Sequence, residues 1–282
     1  MSSSQEVSMS ENREINLGAV QETLLLPLWG RALETQKNHP LLVDKVAVSI
    51  IRDLDYDFSQ MAKNVNPLSC LSWVARSIYF DQEIKCFLDQ YPEGTVVNIG
   101  CGLDTTFDRV DNGKVHWYDL DLPDVMDLRK RYIRETARRE FIAASVMDAG
   151  WYSKIKDKQH VLLLIAGVIY YFEEKDVQKL FAALAREFGK VQVLLDYSSK
   201  TGVKIPNKKV IESGGMSEKA NLVWGIDHLE DLEKWETPIK ILHNMPMFHR
   251  HKNNYPWRKR LGMMISDNLK IMSLAHMEIT GV

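Results

Sequence analysis

Short apolar runs alternate with helical patterns through the middle of the chain. Apolar runs of this length are typical of strands buried on both faces, and helices between them predict a parallel sheet with right-handed crossovers. The run at 160–167 is the most apolar and is expected to be central. The pattern therefore predicts a doubly wound α/β sheet, with strands near 95–99, 115–118, 141–144, 160–167 and 191–196 and helices at 124–140 and 173–188, the first of them with a solvated basic outer face.

The segments on either side of this core have different patterns. Residues 20–51 are interrupted by Pro27, Gly30 and Pro40, which predicts two or three short helices, and a longer helix with one buried face is expected after Pro67. Two last strands are expected at 239–242 and 271–279. We predict a disordered tail at 1–15 and one domain at 16–282, made of a helical cap (16–92), a cofactor-binding core (93–196), a lid-like insertion (197–236) and C-terminal strands (237–282).

Composition narrows the class of protein. The chain has 282 residues, 45% of them hydrophobic, and a formal net charge of −2, so no general attraction to nucleic acid is expected. Its three cysteines form no CxxC pair, which favours a reducing compartment. The first 16 residues lack the apolar core of a signal peptide and no run of 18 apolar residues follows. We expect a cytoplasmic protein with neither a membrane nor a nucleic-acid partner.

A glycine turn and an acid follow the first two predicted strands. Gly100-Cys101-Gly102 ends the first, and Asp119-Leu120-Asp121 ends the second. Glycine lets the backbone approach a ligand closely, and a carboxylate at the next strand end is suited to the two hydroxyl groups of a ribose. The stretch predicts a site for a cofactor that contains a nucleoside.

The spacing also selects among nucleoside cofactors. A dinucleotide fingerprint needs a third glycine at position 105, where this chain has Thr105, and no phosphate-binding GK[ST] loop occurs. S-adenosylmethionine has a ribose and an adenine but no phosphate, and it fits this turn. A nicotinamide-dependent oxidoreductase is disfavoured, while a non-catalytic S-adenosylmethionine-binding protein stays open.

Other residues offer less specific chemistry. Arg76 lies close to a buried helical stripe and needs an acid such as Asp81 or an anionic ligand. Arg31, among apolar neighbours, is interpreted from the residues alone as a surface arginine. His249 and His251 have no third ligand at fixed spacing, so no metal is expected.

Three segments resemble one enzyme family. They are N-x-G-x-G-x-D-T-T at 98–106, D-x-P at 121–123 and the WVARSIYFD helix at 73–81. Together they resemble the leucine carboxyl methyltransferase and tetracenomycin-type polyketide O-methyltransferase family of class I S-adenosylmethionine enzymes. The resemblance implies a Rossmann-like fold with seven strands, six parallel and the last antiparallel, under an N-terminal helical cap.

The resemblance also implies roles for individual residues. Arg76 matches the clamp on the methionine carboxylate, Gly100 and Gly102 match the turn beneath the cofactor, and Asp121 matches the ribose-binding acid. Arg31 falls beside a family position where a cation contacts the cofactor or the substrate, with Gly30 as the alternative match to that position. Arg31 is expected to contact the substrate, as is Tyr171 because of its place after the fourth strand. No catalytic residue is identified, and Tyr170 and Tyr171 are the candidates. The expected cofactor-binding residues are Arg76, Gly100, Gly102, Asp121, Leu122, Ser145, Val146 and Ala166.

Two departures from the family pattern bear on function. Ser145-Val146 stands where an acid and an apolar residue are common near the adenine, with Asp148 as a nearby substitute acid. Ala166 stands where leucine-directed members carry a glutamate, which disfavours a protein C-terminus as the acceptor. We expect an O-methyltransferase of a small-molecule carboxylate or phenol of the polyketide type, with protein carboxyl methylation as the alternative. The oligomeric state stays open.

Overall fold

The computed structural model describes residues 24–206, 222–250 and 252–281. The predicted tail at 1–15, residues 207–221 of the predicted insertion, and His251 lie outside the described residues. Among the described helices none has the length and apolarity needed to cross a bilayer.

A single seven-stranded sheet organises the fold, in the order β3-β2-β1-β4-β5-β7-β6. The last strand in sequence, β7, is antiparallel to both of its neighbours, and the other six strands run in one direction. The predicted Rossmann-like fold of the methyltransferase class is therefore confirmed. The strands are β1 (Thr95–Ile99), β2 (His116–Asp121), β3 (Arg139–Ala143), β4 (Val161–Ile165), β5 (Lys190–Tyr197), β6 (Ile239–Pro246) and β7 (Ser273–Thr280).

Helices cover both faces of the sheet because the central strands are apolar on both sides. Odd-numbered positions such as Val97 and Leu163 pack in one cluster with α7, whereas Val96 and Leu162 pack in another with α4. A third cluster joins the N-terminal helices to Leu103. The helices are α1 (Leu25–Thr35), α2 (Lys45–Asp53), α3 (Ser59–Asn64), α4 (Pro67–Gln90), α5 (Thr106–Val110), α6 (Pro123–Tyr132), α7 (Glu174–Phe188), α8 (Lys200–Pro206) and α9 (Trp257–Asn268).

The helix predicted at 124–140 is shorter than expected. It ends at Tyr132, and the chain turns back so that β3 begins at Arg139. The predicted solvated basic face is wrong for two of its arginines, because Arg129 and Arg139 are buried and each pairs with Asp119, at 2.8 Å and 2.7 Å. A buried charge needs such a partner. These two arginines of the basic run are thus the buried counterions of Asp119 on β2.

The connection between the last two strands contains a helix that the sequence pattern did not predict. Helix α9 begins after Pro256, and its apolar side chains Trp257, Leu261 and Met264 are exposed, so the run lacks the buried stripe of a core helix. The helix contributes Gly262, Ile265 and Ser266 to the wall of a cavity at the edge of the sheet.

Candidate active site

A cavity of about 780 Å³ opens at the carboxyl ends of β1, β2, β4 and β5. Ligand pockets commonly have about 300–1,000 Å³, and parallel sheets bind ligands at this edge. All the residues predicted to bind the cofactor lie on its wall, as do Arg31, Tyr170 and Tyr171. The predicted cofactor set on the wall is Arg76, Gly100, Gly102, Asp121, Leu122, Ser145, Val146 and Ala166.

The turn after β1 requires glycine. Gly100 and Gly102 have φ of 64° and 46°, in the left-handed region that side chains disfavour. A Cβ atom on Gly100 would lie 2.2 Å from Cγ2 of Val168, and one on Gly102 would lie 3.0 Å from Cβ of Leu24. The missing side chains leave the backbone of this turn as part of the cavity wall.

Asp121 ties the glycine turn to the end of β2. Its Oδ2 accepts a hydrogen bond from the Gly102 amide and its Oδ1 accepts one from the Leu122 amide, both at 2.7 Å. Burial raises the pKa of this carboxyl group, and the two amide bonds oppose that rise. Each carboxylate oxygen has more than one acceptor position, so both can also receive a hydroxyl group from a ligand.

Arg76, on α4, pairs with an acid that the sequence analysis missed. Its Nη1 donates to Oδ2 of Asp196 at 2.7 Å, and Oδ1 of Asp196 accepts the Gly167 amide at 2.7 Å. The suggested partner, Asp81, instead binds Arg109 at 2.7 Å, so that pairing was wrong. A signal did exist, since Asp196 ends the apolar fifth strand as Asp121 ends the second.

The charges of Arg76 and Asp196 offset each other on the cavity wall, while Arg76 still has N–H donors for a ligand. The Asp196 side chain is 0% exposed and that of Arg76 is 10% exposed. A guanidinium group has five N–H donors, and the hydrogen bond to Asp196 uses one of them. Arg76 can therefore hold a carboxylate without losing its structural partner.

Arg31 is buried, contrary to its interpretation as a surface arginine. Its Nε donates to Asp44 at 2.9 Å, its Nη2 lies 3.7 Å from Asp104, and Arg109 also binds Asp44, at 2.8 Å. Burial alone would raise the pKa of Asp104, but Arg31 and Arg109 hold that pKa well below its ordinary value. An ionised carboxylate thus reaches the cavity wall next to the glycine turn.

Tyr170 and Tyr171 lie on a short helical turn after β4. Their rings meet edge to face, with centroids 5.3 Å apart. Burial, together with the nearby Asp196 carboxylate, raises the pKa of Tyr170 well above 10. The Tyr170 hydroxyl is therefore protonated at neutral pH, where it can donate a hydrogen bond but cannot accept a proton as a base.

The predicted adenine end is less polar than the rest of the site. Val146 is buried, and the Ser145 amide donates to Oδ2 of Asp148 at 3.2 Å. Asp148, suggested as a substitute acid, is exposed and does not line the cavity. Its role is that of a turn residue that holds the backbone of Ser145.

Large apolar side chains also line this cavity. They come from distant segments, namely α4, the turn after β4, the loop after β6, helix α9 and the residue before β7. These side chains are Trp73, Phe172, Met247, Phe248, Ile265 and Met272.

The family model described as leucine carboxyl methyltransferase matches residues 25–185. The tetracenomycin polyketide synthesis O-methyltransferase TcmP of Streptomyces glaucescens is 29% identical over 221 residues, which cover 78% of this chain and 80% of TcmP. The S-adenosyl-L-methionine-dependent methyltransferase dpfgK of Gibberella zeae is 24% identical over 284 residues, covering 92% and 94% of the two chains.

Among solved structures, this chain is similar to the magnesium protoporphyrin IX methyltransferase of Synechocystis PCC 6803. It is 13% identical, covers 84% of this chain and 100% of its own, and superposes with a TM-score of 0.46.

Proposed function

This chain belongs to the leucine carboxyl methyltransferase family, and we propose that it transfers a methyl group from S-adenosylmethionine to an oxygen atom of a small, largely apolar acceptor. The observation that supports the proposal most directly is one cavity whose wall combines the glycine turn, two acids at strand ends and several large apolar side chains. The glycine turn and the acids would bind a methyl donor that contains a nucleoside, and the apolar side chains would contact an acceptor with an apolar body.

The residues present fit S-adenosylmethionine. Asp121 would accept the ribose hydroxyl groups, and the turn at Gly100 and Gly102 would pass beneath the ribose and methionine portions. Arg76 would hold the methionine carboxylate, for which a guanidinium group is suited. Asp104, kept ionised by Arg31 and Arg109, has the charge that an α-ammonium group needs. Leu122, Ser145 and Val146 would enclose the adenine.

When bound, the cofactor supplies an electrophilic methyl group on a sulfonium centre. The protein's part is to orient the acceptor oxygen in line with that bond and to exclude water, and orientation alone can contribute about 7–11 kcal/mol. An acceptor carboxylate is ionised at neutral pH and needs no general base. A phenol has a pKa of about 10, so its methylation is faster when a general base removes the proton. Tyr170 and Tyr171 remain the candidate residues nearest this step, and Tyr171 and Arg31 the candidate acceptor contacts.

A small-molecule acceptor is favoured over a protein C-terminus. Ala166 puts a methyl group, rather than a carboxylate, on the cavity wall between β4 and Gly167. TcmP, by its name, acts in polyketide synthesis. An aromatic polyketide carrying a carboxylate or phenol suits a cavity wall that includes Trp73, Phe172 and Phe248.

Replacing Asp121 with alanine tests the cofactor site. We expect Asp121→Ala to weaken S-adenosylhomocysteine binding at least tenfold, because the ribose loses its acceptor and the Gly102 amide loses its tether. Isothermal titration calorimetry gives the affinity. Asp127→Ala, an exposed acid on the following helix α6, is the matched control and should bind normally. Equal affinity in the two variants would show that the cofactor lies elsewhere.

Turnover with methyl-labelled S-adenosylmethionine separates an enzyme from a non-catalytic binding protein. We expect label to enter aromatic carboxylic acids or phenols, and not a peptide that ends in leucine. Base treatment then releases the label from an ester but not from an aryl ether. Tight binding of the cofactor with no labelled product from either class would favour the non-catalytic alternative.

Tyr170→Phe tests whether this hydroxyl is a general base. Since the pKa of Tyr170 lies well above 10, removing the hydroxyl should change kcat/KM without altering the shape of its pH profile between about pH 6 and 9. Tyr171→Phe is measured in parallel. Loss of an ascending limb in Tyr170→Phe alone would identify Tyr170 as the base and contradict this assignment.

A further inference from the structure

Glu83, His243 and His276 form a cluster outside the cavity. Their side chains meet where α4 crosses the β6–β7 edge of the sheet, and the candidate ligand atoms all lie within 4.8 Å of one another. Oε2 of Glu83 is 3.2 Å from Nδ1 of His276 and 3.5 Å from Nδ1 of His243. The cluster is absent from the cavity wall, so the proposed methyl transfer does not use it.

An irregularity in the sheet brings the two histidines together. Ile241 pairs with Met277, but the next pair is His243 with His276, so Leu242 is an extra residue on β6. Such a bulge changes which face the following side chain occupies. Without it Leu242 would stand opposite His276, and His243 would point to the other face. The β-bulge at Leu242 therefore places His243 on the same face of the sheet as His276, which completes the cluster.

The surroundings of His276 orient its ring. Nε2 of His276 lies 2.9 Å from Oε1 of Gln192, which is the usual arrangement of a histidine that donates one N–H to a neighbouring oxygen and ligates a metal with the other nitrogen. With the proton on Nε2, the lone pair of Nδ1 faces a carboxylate oxygen at 3.2 Å. In that tautomer, a cation between the two atoms would bind both of them.

The other oxygen of Glu83 has a different neighbour. Oε1 lies 3.8 Å from Nη2 of Arg250, an arginine that is itself partly exposed and also donates to Gln82. This leaves Oε2 directed at both imidazoles. Beside them, the buried hydroxyl of Tyr79, one helical turn before Glu83, has no hydrogen-bond partner among the described residues.

We propose that Glu83, His243 and His276 bind a zinc ion that fastens α4 to the β6–β7 edge. Tetrahedral zinc with nitrogen and oxygen ligands at about 2.0–2.2 Å separates those ligands by about 3.3 Å, close to the two distances observed here. Two imidazoles and one carboxylate are a common protein set for this ion, with water in the fourth position. These three ligands have no characteristic spacing in the sequence because they lie on α4, β6 and β7. The neighbouring pair His249 and His251 does have a short spacing, but it lacks a third ligand in the sequence.

Zinc titration into the full-length, chelator-treated protein tests the proposal. Wild-type protein should bind one equivalent by calorimetry and melt at a higher temperature with zinc than without it. His243→Gln should weaken zinc binding at least a hundredfold and lose the thermal shift. His243 is chosen because its side chain is 57% exposed, so its replacement leaves the core intact. His249→Gln, an exposed histidine on the following loop, should behave as wild type.

Two results would overturn the site. If wild-type protein binds no zinc, the positive centre between His276 and Glu83 is a proton, and the cluster is an ion pair. If His243→Gln and His249→Gln bind zinc equally well, the ion lies elsewhere. Cobalt substitution adds a direct readout, since a four-coordinate ion absorbs strongly in the visible range, and neither measurement depends on methyl transfer.

Discussion

Gly100→Ala is expected to abolish measurable S-adenosylhomocysteine binding, whereas Gly113→Ala leaves it intact. Both glycines have positive φ, 64° and 80°, so both substitutions incur a similar backbone penalty of about 1–2 kcal/mol. Only Gly100 is also crowded: its new Cβ would lie 2.2 Å from Val168, while a Cβ on Gly113 would meet nothing within 4 Å. The turn or Val168 must move, and both line the cavity.

Thermal denaturation and calorimetry on the two variants separate these effects. We expect similar losses of stability from the backbone penalty, an additional loss in Gly100→Ala, and a loss of affinity of at least a hundredfold in Gly100→Ala alone. Gly113 lies in an exposed turn before β2, far from the ligand contacts, and so controls for backbone strain. Normal affinity in a folded Gly100→Ala protein would mean that the turn does not contact the cofactor.

The glycine turn and the acid after β2 could be predicted because their signal is local. Gly100, Gly102 and Asp121 follow apolar runs directly, and the carboxyl ends of parallel strands meet at one edge of the sheet. The direction of the strands followed from the alternation of elements and from the family resemblance. Local patterning therefore determined which residues reach the cavity, although it did not determine their partners.

Charge pairing was the part that local patterning missed. Arg76 and its partner Asp196 are 120 positions apart, and Arg31 and Arg109 meet on Asp44 from different helices. An arginine near an apolar stripe looks the same in sequence whether it covers the surface or occupies the core. The basic run at 129–139 was misassigned for this reason, since its buried members pair with an acid in β2.

The β6 bulge is a second feature without a local signal. A single extra residue in a strand leaves the alternation of apolar and polar positions ambiguous, and β6 is an edge strand with little burial to fix its register. The position of His243 opposite His276 therefore depended on the three-dimensional pairing alone. In this chain, register and long-range ion pairs create features that composition and spacing do not reveal.

Arg76 has two roles that a pair of substitutions can separate. As the partner of Asp196 it stabilises the fold, and as the proposed clamp it binds the cofactor's carboxylate. Asp196→Asn leaves Arg76 buried without its counterion, and losing one member of a buried pair costs about 3–5 kcal/mol. The amide can still accept the Gly167 N–H. Arg76→Met likewise leaves Asp196 buried without its counterion, so we expect a similar loss of unfolding free energy in that variant.

The double variant Arg76→Met/Asp196→Asn is expected to recover most of the lost stability but none of the lost cofactor affinity. It contains no unpaired buried charge at this site, so its urea unfolding free energy should lie closer to wild type than that of either single variant. S-adenosylhomocysteine should bind it at least tenfold more weakly than wild type, because the guanidinium group is gone, whereas Asp196→Asn should stay within a few-fold of wild type. If affinity instead returned together with stability in the double variant, Arg76 would support the site only through the fold. The methionine carboxylate would then have to be bound by another cation on the cavity wall, and Arg31 is the one nearest to the glycine turn.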